Sequence, residues 1–422
     1  MKLLLTLAFI AIYPFFLASQ NIDTIYSETV RTVELRSNGD FRNGNLPVIP
    51  LKGGNLQLSF DDLNAIFSNF SYTVELCDRD WKPTRLEKIE YLEGLNEDRI
   101  VDIKNSQATN IAFVNYHLTI PNATVRWNKS GNYLLKVYED DGDRTPVLTR
   151  RFIVFEPILL PAIEFQIPVG YKFNSCQEID FKLEAKNFRI SNPTNELRAT
   201  VLQNGRWETA KSNVAPSFVV GDQIVFDYQD SLIWTAGKEW RYVDIRSSRF
   251  RSERINTIIN GEKTWEYLMR PDLDRSREPY LIYPDLNGGF FIETQDLRNQ
   301  AINSRIQADY ANLFMTLKLK EPIEDADVYF YGQLTDWKID ERFKLDYDDA
   351  RGEYAGEVQL KQGFYNYSYV VVPRKTQKPD YSILEGDWYE AENEYHVVIY
   401  YRPFGARYDR VIGYQKAQSS RR

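Results

Sequence analysis

Apolar and polar residues alternate along much of this chain in runs of five to eight residues. This period of two is typical of strands that bury one face. Glycine, asparagine and aspartate separate the runs, as turns between strands require. The clearest runs are 56–60, 72–77, 116–120, 197–203, 354–360 and 395–401. Few segments have a helical period, so the pattern predicts an all-β fold.

Three segments carry a glycine followed by an aromatic-rich run, at Gly131, Gly237 and Gly363. In immunoglobulin-like sandwiches a tyrosine near the start of a late strand packs on the core while its hydroxyl caps nearby backbone. The spacings of 106 and 126 residues each fit one sandwich of about 100 residues. We therefore predict three consecutive immunoglobulin-like or E-set-like β-sandwich modules. Their expected ranges are 20–157, 158–300 and 301–422, with the polar segment 292–309 as a linker.

The first residues indicate a secretory signal peptide. Lys2 precedes an apolar run over 3–17, which Thr6 and Pro14 interrupt and which ends in Ala18 and Ser19. A short basic start, a short apolar core and small residues at the exit are typical of a cleaved signal. We expect residues 1–19 to be removed. No later run approaches roughly 18 apolar residues, so no transmembrane segment is predicted in the mature chain.

Composition narrows the classes of partner. With 43% hydrophobic and 27% charged residues the chain is an ordinary globular one. Its net charge of −8 argues against binding nucleic acid, because phosphate recognition requires basic patches. The sequence has no coiled-coil pattern, and we expect a monomer.

Residues that could carry chemistry form no recognisable site. His117 and His396 alternate with apolar neighbours and stand beside no metal-ligand or hydrolase motif. The chain has no GxSxG, HExxH, P-loop or GxGxxG sequence. We therefore predict no catalytic residue, no metal site and no cofactor, and expect a protein that is not an enzyme.

Two acidic pairs and two cysteines complete the search. Asp61-Asp62 and Asp348-Asp349 could suggest paired acid and base groups, but we expect solvated carboxylates in turns. Cys77 and Cys176 are 99 residues apart in different predicted modules. A disulfide needs Cα atoms within about 7 Å, so two isolated thiols are the favoured interpretation.

The segment 81–107 is an insertion too long for a hairpin connection. Connections longer than about 12–15 residues are usually functional or disordered. The leucine, isoleucine, tyrosine and tryptophan content of this one predicts order. Two alternatives stay open: a projecting contact loop, or a lid over one end of its own sandwich.

A series of segments in one order resembles the type IX secretion system plug protein family. They are 91–100, 131–138 with Asp140 and 149–152, 201–207, 242–247, 285–288, 308–310, 332–337, 365–367, 400–403 and 407–413. The resemblance implies a periplasmic protein that binds the periplasmic opening of the outer-membrane β-barrel translocon and closes it when no substrate passes. The family has no known active site whose residues could be assigned in this chain.

Aromatic and arginine residues lead the anchors of protein interfaces, which gives candidate partner-binding residues here. One group lies in the insertion, and the other lies in the C-terminal run 402–410. The candidates are Trp81, Tyr91, Asn96, Asp98 and Arg99, followed by Arg402, Arg407 and Tyr408.

The alternative function is carbohydrate binding. Segments 332–337 and 363–367 also resemble the sandwich modules that accompany starch- and glycogen-handling enzymes, in which aromatic rings stack on sugars. Trp337 is the candidate glycan-binding residue. Since fold likeness does not carry function, the other interpretation is that Trp337 fills the core of its own module.

Overall fold

The computed structural model describes residues 23–37, 46–170, 173–296 and 303–419. The predicted signal peptide, residues 1–19, lies outside the described residues. Strands make up 48% of the chain and helices 5%, which confirms the predicted all-β sandwich class. The α-helices of the described chain are four-residue turns, α1 (Lys88–Tyr91), α2 (Pro193–Glu196) and α3 (Ser304–Gln307), and 3-10 helices cover Gln333–Thr335 and Glu341–Phe343. No helix in the described part of the chain could span a membrane.

Residues 23–37 and 46–157 form a two-sheet sandwich, which we call the first unit. Its strands are β1 (Thr24–Ile25), β2 (Val30–Ser37), β3 (Val48–Pro50), β4 (Leu56–Asp62), β5 (Phe70–Cys77), β6 (Leu92–Gly94), β7 (Glu97–Arg99), β8 (Asp102–Asn105), β9 (Val114–Ile120), β10 (Val125–Trp127), β11 (Gly131–Glu139) and β12 (Pro146–Phe155). One sheet has the order β1-β12-β11-β5-β7, with β3 parallel to β12. The other is β2-β4-β9-β8. Alternate residues of both sheets fill one core.

Two of the three glycine-aromatic segments form tyrosine corners. The Tyr133 hydroxyl donates to the Lys129 carbonyl at 2.9 Å, and the Tyr365 hydroxyl donates to the Lys361 carbonyl. Both rings are buried. The segment after Gly237 differs, because the Tyr242 hydroxyl instead donates to the Glu253 carboxylate at 2.6 Å.

Residues 158–236 and 391–419 together form the second unit. Its strands are β13 (Ala162–Gln166), β14 (Cys176–Glu184), β15 (Leu197–Gln203), β16 (Lys211–Val214), β17 (Phe218–Val220), β18 (Gln223–Phe226), β19 (Ile233–Thr235) and, near the end of the chain, β30 (Glu394–Tyr401) and β31 (Arg410–Gln418). The sheets are β13-β14-β18-β17, with β19 beside β14, and β16-β15-β30-β31. Both contribute to one core.

Residues 237–390 form the third unit, inserted between the two parts of the second. Its strands are β20 (Arg241–Asp244), β21 (Ile255–Asn260), β22 (Trp265–Met269), β23 (Asp272–Leu273), β24 (Phe290–Ile292), β25 (Tyr310–Lys318), β26 (Ala326–Tyr331), β27 (Lys344–Asp348), β28 (Glu353–Lys361) and β29 (Gly363–Pro373). They follow the order β20-β29-β26-β27-β28-β25-β22-β21 around a single core, with β23 beside β25 and β24 beside β29.

The predicted boundary at residue 300 does not separate sheets. Strand β15 pairs along its whole length with β30, about two hundred residues later. Strands β20, β22 and β24 precede residue 300 but pair with β25 or β29 beyond it. Every residue of β30 is buried, and β30 lies between β15 and β31 as an inner strand of its sheet.

A buried polar network fastens the two crossings between the second and third units. Asn393 donates from Nδ2 to the Ala236 carbonyl at 2.8 Å and to Gln177 Oε1 at 3.1 Å. Its Oδ1 accepts from Asn204 at 2.8 Å. The outgoing chain at Ala236 and the returning chain at Asn393 are thereby held together, as buried polar groups require.

Asp285, near the junction of these units, makes the stability of the fold depend on pH. Its carboxylate accepts the backbone N–H groups of Trp240 at 2.6 Å and Asn287 at 2.8 Å, yet burial raises the pKa of Asp285 to about 7. Between about pH 4 and pH 7 the folded state therefore keeps a proton on Asp285. The unfolded chain, with an ordinary aspartate pKa of about 3.9, has already released it. This contribution to stability is complete at low pH and is lost as pH rises through about 7.

We expect the variant Asp285→Asn to lack this loss of stability at rising pH. The difference in free energy of unfolding, variant minus wild type, should increase between pH 5 and pH 8, as measured by urea unfolding at both values. Other carboxylates cancel in that difference. An unchanged difference would contradict the raised pKa.

Candidate interaction surface

Two of the predicted anchors are buried and cannot serve as surface contacts. Trp81 packs edge-to-face on Trp207 of the second unit, with ring centroids 4.9 Å apart, and Arg151 lies over both rings. Tyr91 lies in the first core against Tyr133, and burial raises its pKa to about 12. The sequence shows the large aromatic side chains but not which face they take, so this part of the hypothesis is wrong.

The insertion 81–107 is incorporated into its own sandwich. Strand β6 pairs with β10, β7 with β5, and β8 with β9. The structure therefore favours the lid alternative for most of the segment. Strand β7 lies at the end of its sheet and has the charged sequence Glu-Asp-Arg, which protects an exposed edge from unwanted strand pairing.

The other candidates in the insertion belong to this edge. Asn96 is exposed, and its carbonyl accepts the Thr73 hydroxyl at 2.6 Å. Asp98 accepts the hydroxyl of Thr124. Arg99 is 65% exposed and forms an ion pair with Asp140 at 2.5 Å. Arg99 and Asn96 are therefore accessible, whereas Asp98 is partly covered.

The C-terminal candidates lie in the loop between β30 and β31, next to the insertion. Arg407 forms an ion pair with Glu90 of α1. Lys129 lies over the ring of Tyr408, at 5.6 Å from its centroid, and Tyr408 packs against the first core. Arg402 is exposed and lies 3.6 Å from the buried carboxylate of Asp409.

The fold thus brings the two predicted segments together on one surface. We call it the junction surface and define it by Ile89, Glu90, Arg402, Phe404 and Arg407. Ile89 is 84% exposed, and Phe404 is exposed to its full extent. Both were missed, because exposure depends on the fold; the only sequence signal is a phenylalanine between Pro403 and Gly405, where a turn is expected.

Apolar side chains next to arginines suit a protein contact. Large exposed apolar groups mark interaction sites when they cluster, and arginine is frequent among interface anchors. Here both kinds of residue lie on segments joined by the Glu90–Arg407 pair. The arrangement can bind a partner surface, and it contains no group placed for acid, base or nucleophilic chemistry.

Trp337 is held in packing contacts. Its ring lies 5.6 Å from that of Trp240 and 5.8 Å from that of Tyr331, with Arg206 of the second unit over it at 5.6 Å. A side chain at Gly288 would lie 2.5 Å from the Trp337 ring, which explains the glycine there. The packing favours the interpretation that Trp337 fills a core.

The remaining candidates for chemistry have structural roles. His396 is buried, between the Tyr414 hydroxyl at 2.8 Å and the Glu394 carboxylate at 3.0 Å. Cys77 and Cys176 are both free and buried, and Cys77 belongs to the apolar cluster between the first and second units. No cluster in the described ranges could hold a metal ion.

The acidic pairs separate into two environments. Asp348 and Asp349 lie at a turn, as expected. Asp61 and Asp62 are buried, at 1% and 3% exposure, so the expectation of solvated loop carboxylates is wrong for them. Asp61 accepts hydrogen bonds from Lys361 and Tyr310 of the third unit, which explains why it tolerates burial.

A family model of the first domain of type 9 secretion system plug proteins matches residues 30–156. This range coincides with the first unit. Residues 30–156 belong to the type 9 secretion system plug protein family. Membership makes the protein an envelope-associated component related to type 9 secretion.

Solved structures extend the likeness beyond the plug domain. A crystal structure of a hypothetical protein from Parabacteroides merdae ATCC 43184 is 31% identical, with a TM-score of 0.88, covering 94% of this chain and 99% of that one. Escherichia coli alpha-2-macroglobulin activated by porcine elastase aligns at 9% identity and a TM-score of 0.17, covering 92% of this chain and 34% of that one, and carries no argument. A search of curated proteins finds no match.

Within this plug family member, the junction surface draws on both the matched domain and the second unit. Ile89 and Glu90 belong to residues 30–156, whereas Arg402, Phe404 and Arg407 lie beyond them. The two units contact each other through an apolar cluster that includes Leu134 and Ile153 of the first unit and Val398 and Val411 of the second.

Proposed function

We propose that this protein is a non-enzymatic periplasmic plug. It binds the periplasmic opening of the type 9 outer-membrane translocon barrel and seals it when no substrate passes. The observation that carries the proposal is the match of residues 30–156 to the plug domain. The signal peptide predicted over residues 1–19 supports export from the cytoplasm.

The architecture is suited to closing a pore. An apolar cluster joins the first and second units, and the buried Asp61–Lys361 ion pair joins the first and third. The third unit is inserted between the two parts of the second, which pair through β15 and β30. The chain can therefore cover an opening as one body. A releasable contact of standard size buries about 1,200–2,000 Å² in total and depends on a few central anchors. We assign Ile89, Phe404 and Arg407 to that role.

Two experiments in the native organism test the proposal. An epitope-tagged copy, solubilised gently with the envelope, should co-purify with the translocon barrel. Deletion of the gene should make the outer membrane permeable to large antibiotics that it normally excludes, because an unsealed barrel is open to solutes. A tagged protein recovered alone, together with an unchanged permeability barrier, would refute the plug function.

Loss of the junction surface should weaken this binding without unfolding the protein. The double variant Ile89→Ser, Phe404→Ser removes two exposed side chains, so its stability should stay within about 0.5 kcal/mol of wild type. We expect at least a tenfold loss of affinity for the translocon, about 1.4 kcal/mol, in a quantitative pull-down.

The matched control is Phe250→Ser, which removes a 68% exposed phenylalanine from the third unit, away from the junction surface. It should bind as wild type does. Equal binding by both variants would mean that the translocon contacts another face.

A further inference from the structure

A cleft of about 430 Å³ lies between the first and third units. We call it the seam cleft. Its walls are residues 30–33 of β2, the segment 333–336, and residues 357–361 of β28. Ligand pockets typically measure about 300–1,000 Å³, so the cleft has room for a ligand. No residue of the junction surface lines it.

One wall of the seam cleft is an open strand edge. Strand β28 pairs with β25 over its whole length, but with β27 only over Glu353–Ala355. From Glu357 onward no strand of the described chain pairs with the other side of β28. Five residues of strand, about 16 Å long, are therefore available for pairing from one side.

The direction of the backbone groups on this edge follows from the ladder. The Gln362 N–H donates to the Asp309 carbonyl at 2.7 Å, which marks that pair as hydrogen-bonded. Because antiparallel pairs alternate between bonded and non-bonded, Glu357 and Gln359 direct their N–H and C=O groups away from β25. They point at the cleft, and no described residue bonds them there.

Buried polar side chains at the base of the seam cleft connect the first and third units. The Thr32 hydroxyl and the Tyr310 hydroxyl lie 2.7 Å apart, Tyr310 donates to Asp61 at 2.8 Å, and Lys361 pairs with Asp61 at 2.6 Å. Thr32 has φ of 50°, in a register break of β2. For a β-branched residue this is a strained conformation, of a kind found at ligand sites.

The charges of the cleft favour an acidic occupant beside Arg31. The Arg31 guanidinium donates to the carbonyls of Glu28 and Val30, at 2.5 and 2.9 Å, and forms no ion pair within 4 Å in the described chain. Burial and the nearby Arg342 lower its pKa, against the opposing charges of Asp340 and Glu28. The other cations are paired: Arg150 with Asp336, Arg342 with Asp340, and Lys361 with Asp61. The acid Glu357 lies exposed at the outer end of the edge.

We propose that the seam cleft binds an extended segment of another protein, which adds as a strand to the free edge of β28 and places a carboxylate against Arg31. Backbone hydrogen bonds to Glu357 and Gln359 provide affinity, and the carboxylate provides a preference for acidic over basic segments. This inference does not depend on the proposed function, because it concerns a different face and is tested on purified protein.

The occupant is not a segment of this chain. Outside the described residues the only acidic residue is Asp40. A single carboxylate makes these segments a poor source of an acidic strand, so we assign the occupant to another protein. The chain also has a net charge of −8, which disfavours a second copy.

Fluorescence anisotropy with a labelled hexapeptide, Thr-Val-Glu-Val-Thr-Val, tests the proposal. Wild type should bind it saturably, and bind a version with lysine in place of glutamate at least tenfold more weakly. Gln359→Pro, which removes the edge N–H, should reduce affinity at least tenfold, whereas Gln359→Thr keeps that N–H and should bind as wild type does. Arg31→Glu should reverse the preference between the two peptides.

A second measurement leaves the protein unaltered, in case proline disturbs the fold. A hexapeptide with methylated backbone nitrogens cannot donate to the edge and should lose at least tenfold in affinity. Absence of saturable binding by either unmethylated peptide up to about 1 mM would overturn the proposal. So would equal binding of the methylated and unmethylated peptides.

Discussion

Replacing Asp272 by alanine is expected to lower the free energy of unfolding of the third unit by about 3–5 kcal/mol. Asp272 has no exposed side-chain area and accepts from the Tyr367 hydroxyl at 2.7 Å and the Tyr369 hydroxyl at 2.8 Å. It also forms ion pairs with Arg241, at 3.1 Å, and with Arg254.

The size of the effect follows from what alanine leaves behind. Arg241 is only 6% exposed and would keep Glu385 as its single carboxylate partner, at 3.0 Å. Arg275 competes for that same carboxylate. Two tyrosine hydroxyls would also lose their acceptor inside a core. Breaking a buried charge network at one member costs more than the network contributes in total.

Urea unfolding followed by tryptophan fluorescence measures the loss. Because the chain has several units, the midpoint of the earliest transition is the quantity to compare. Asp349→Ala, which removes an exposed turn carboxylate, is the matched control and should shift stability by less than about 0.5 kcal/mol. Equal midpoints for Asp272→Ala and wild type would show that the network carries no stability.

Asp61→Ala should separate the first and third units and cost about 3–5 kcal/mol. Its partner Lys361 is 2% exposed, lies 2.6 Å away and sits 4.1 Å from the centroid of the Phe113 ring. Without Asp61 this ammonium would remain buried beside an aromatic ring, with the Arg305 carbonyl as its oxygen partner. Unpaired buried charge is among the most destabilising changes in a protein.

A double variant distinguishes charge from packing. Burial raises the pKa of Asp61 and lowers that of Lys361, so the surroundings disfavour both charged forms. Asp61→Leu with Lys361→Met should therefore recover most of the stability lost in Asp61→Ala, with Tyr310 still bonded to Thr32. The comparison uses urea midpoints of the single and double variants. A double variant as unstable as the single one would show that shape, and not charge, decides.

The sequence was sufficient for the features that depend on local pattern. Period-two alternation predicted strands, and the glycine-tyrosine segments predicted the corners at Tyr133 and Tyr365. The ordered segments 91–100 and 407–413 pointed to the plug family, which the match over residues 30–156 confirms. Local alternation reports which residues are buried in a strand because side chains point to opposite faces in turn.

Pairing between distant strands could not be obtained in this way. Strand β30 was predicted in the last module because it follows β29 in sequence, yet it pairs with β15. Alternation is the same whichever neighbour a strand has, so it cannot choose between partners two hundred residues apart. The insertion of the third unit into the second, and the boundary at residue 300, were therefore beyond the sequence.

The candidate surface shows the same division between sequence and structure. The sequence identified the two chain segments, because candidate anchors in 81–107 and 402–410 were chosen for their aromatic and arginine side chains. In the structure these segments meet through Glu90 and Arg407. Which side chains in them face outward was decided by the tertiary structure. Trp81 and Tyr91 turn into cores while Ile89 and Phe404 turn to solvent, because burial depends on what packs against each face once the units have assembled.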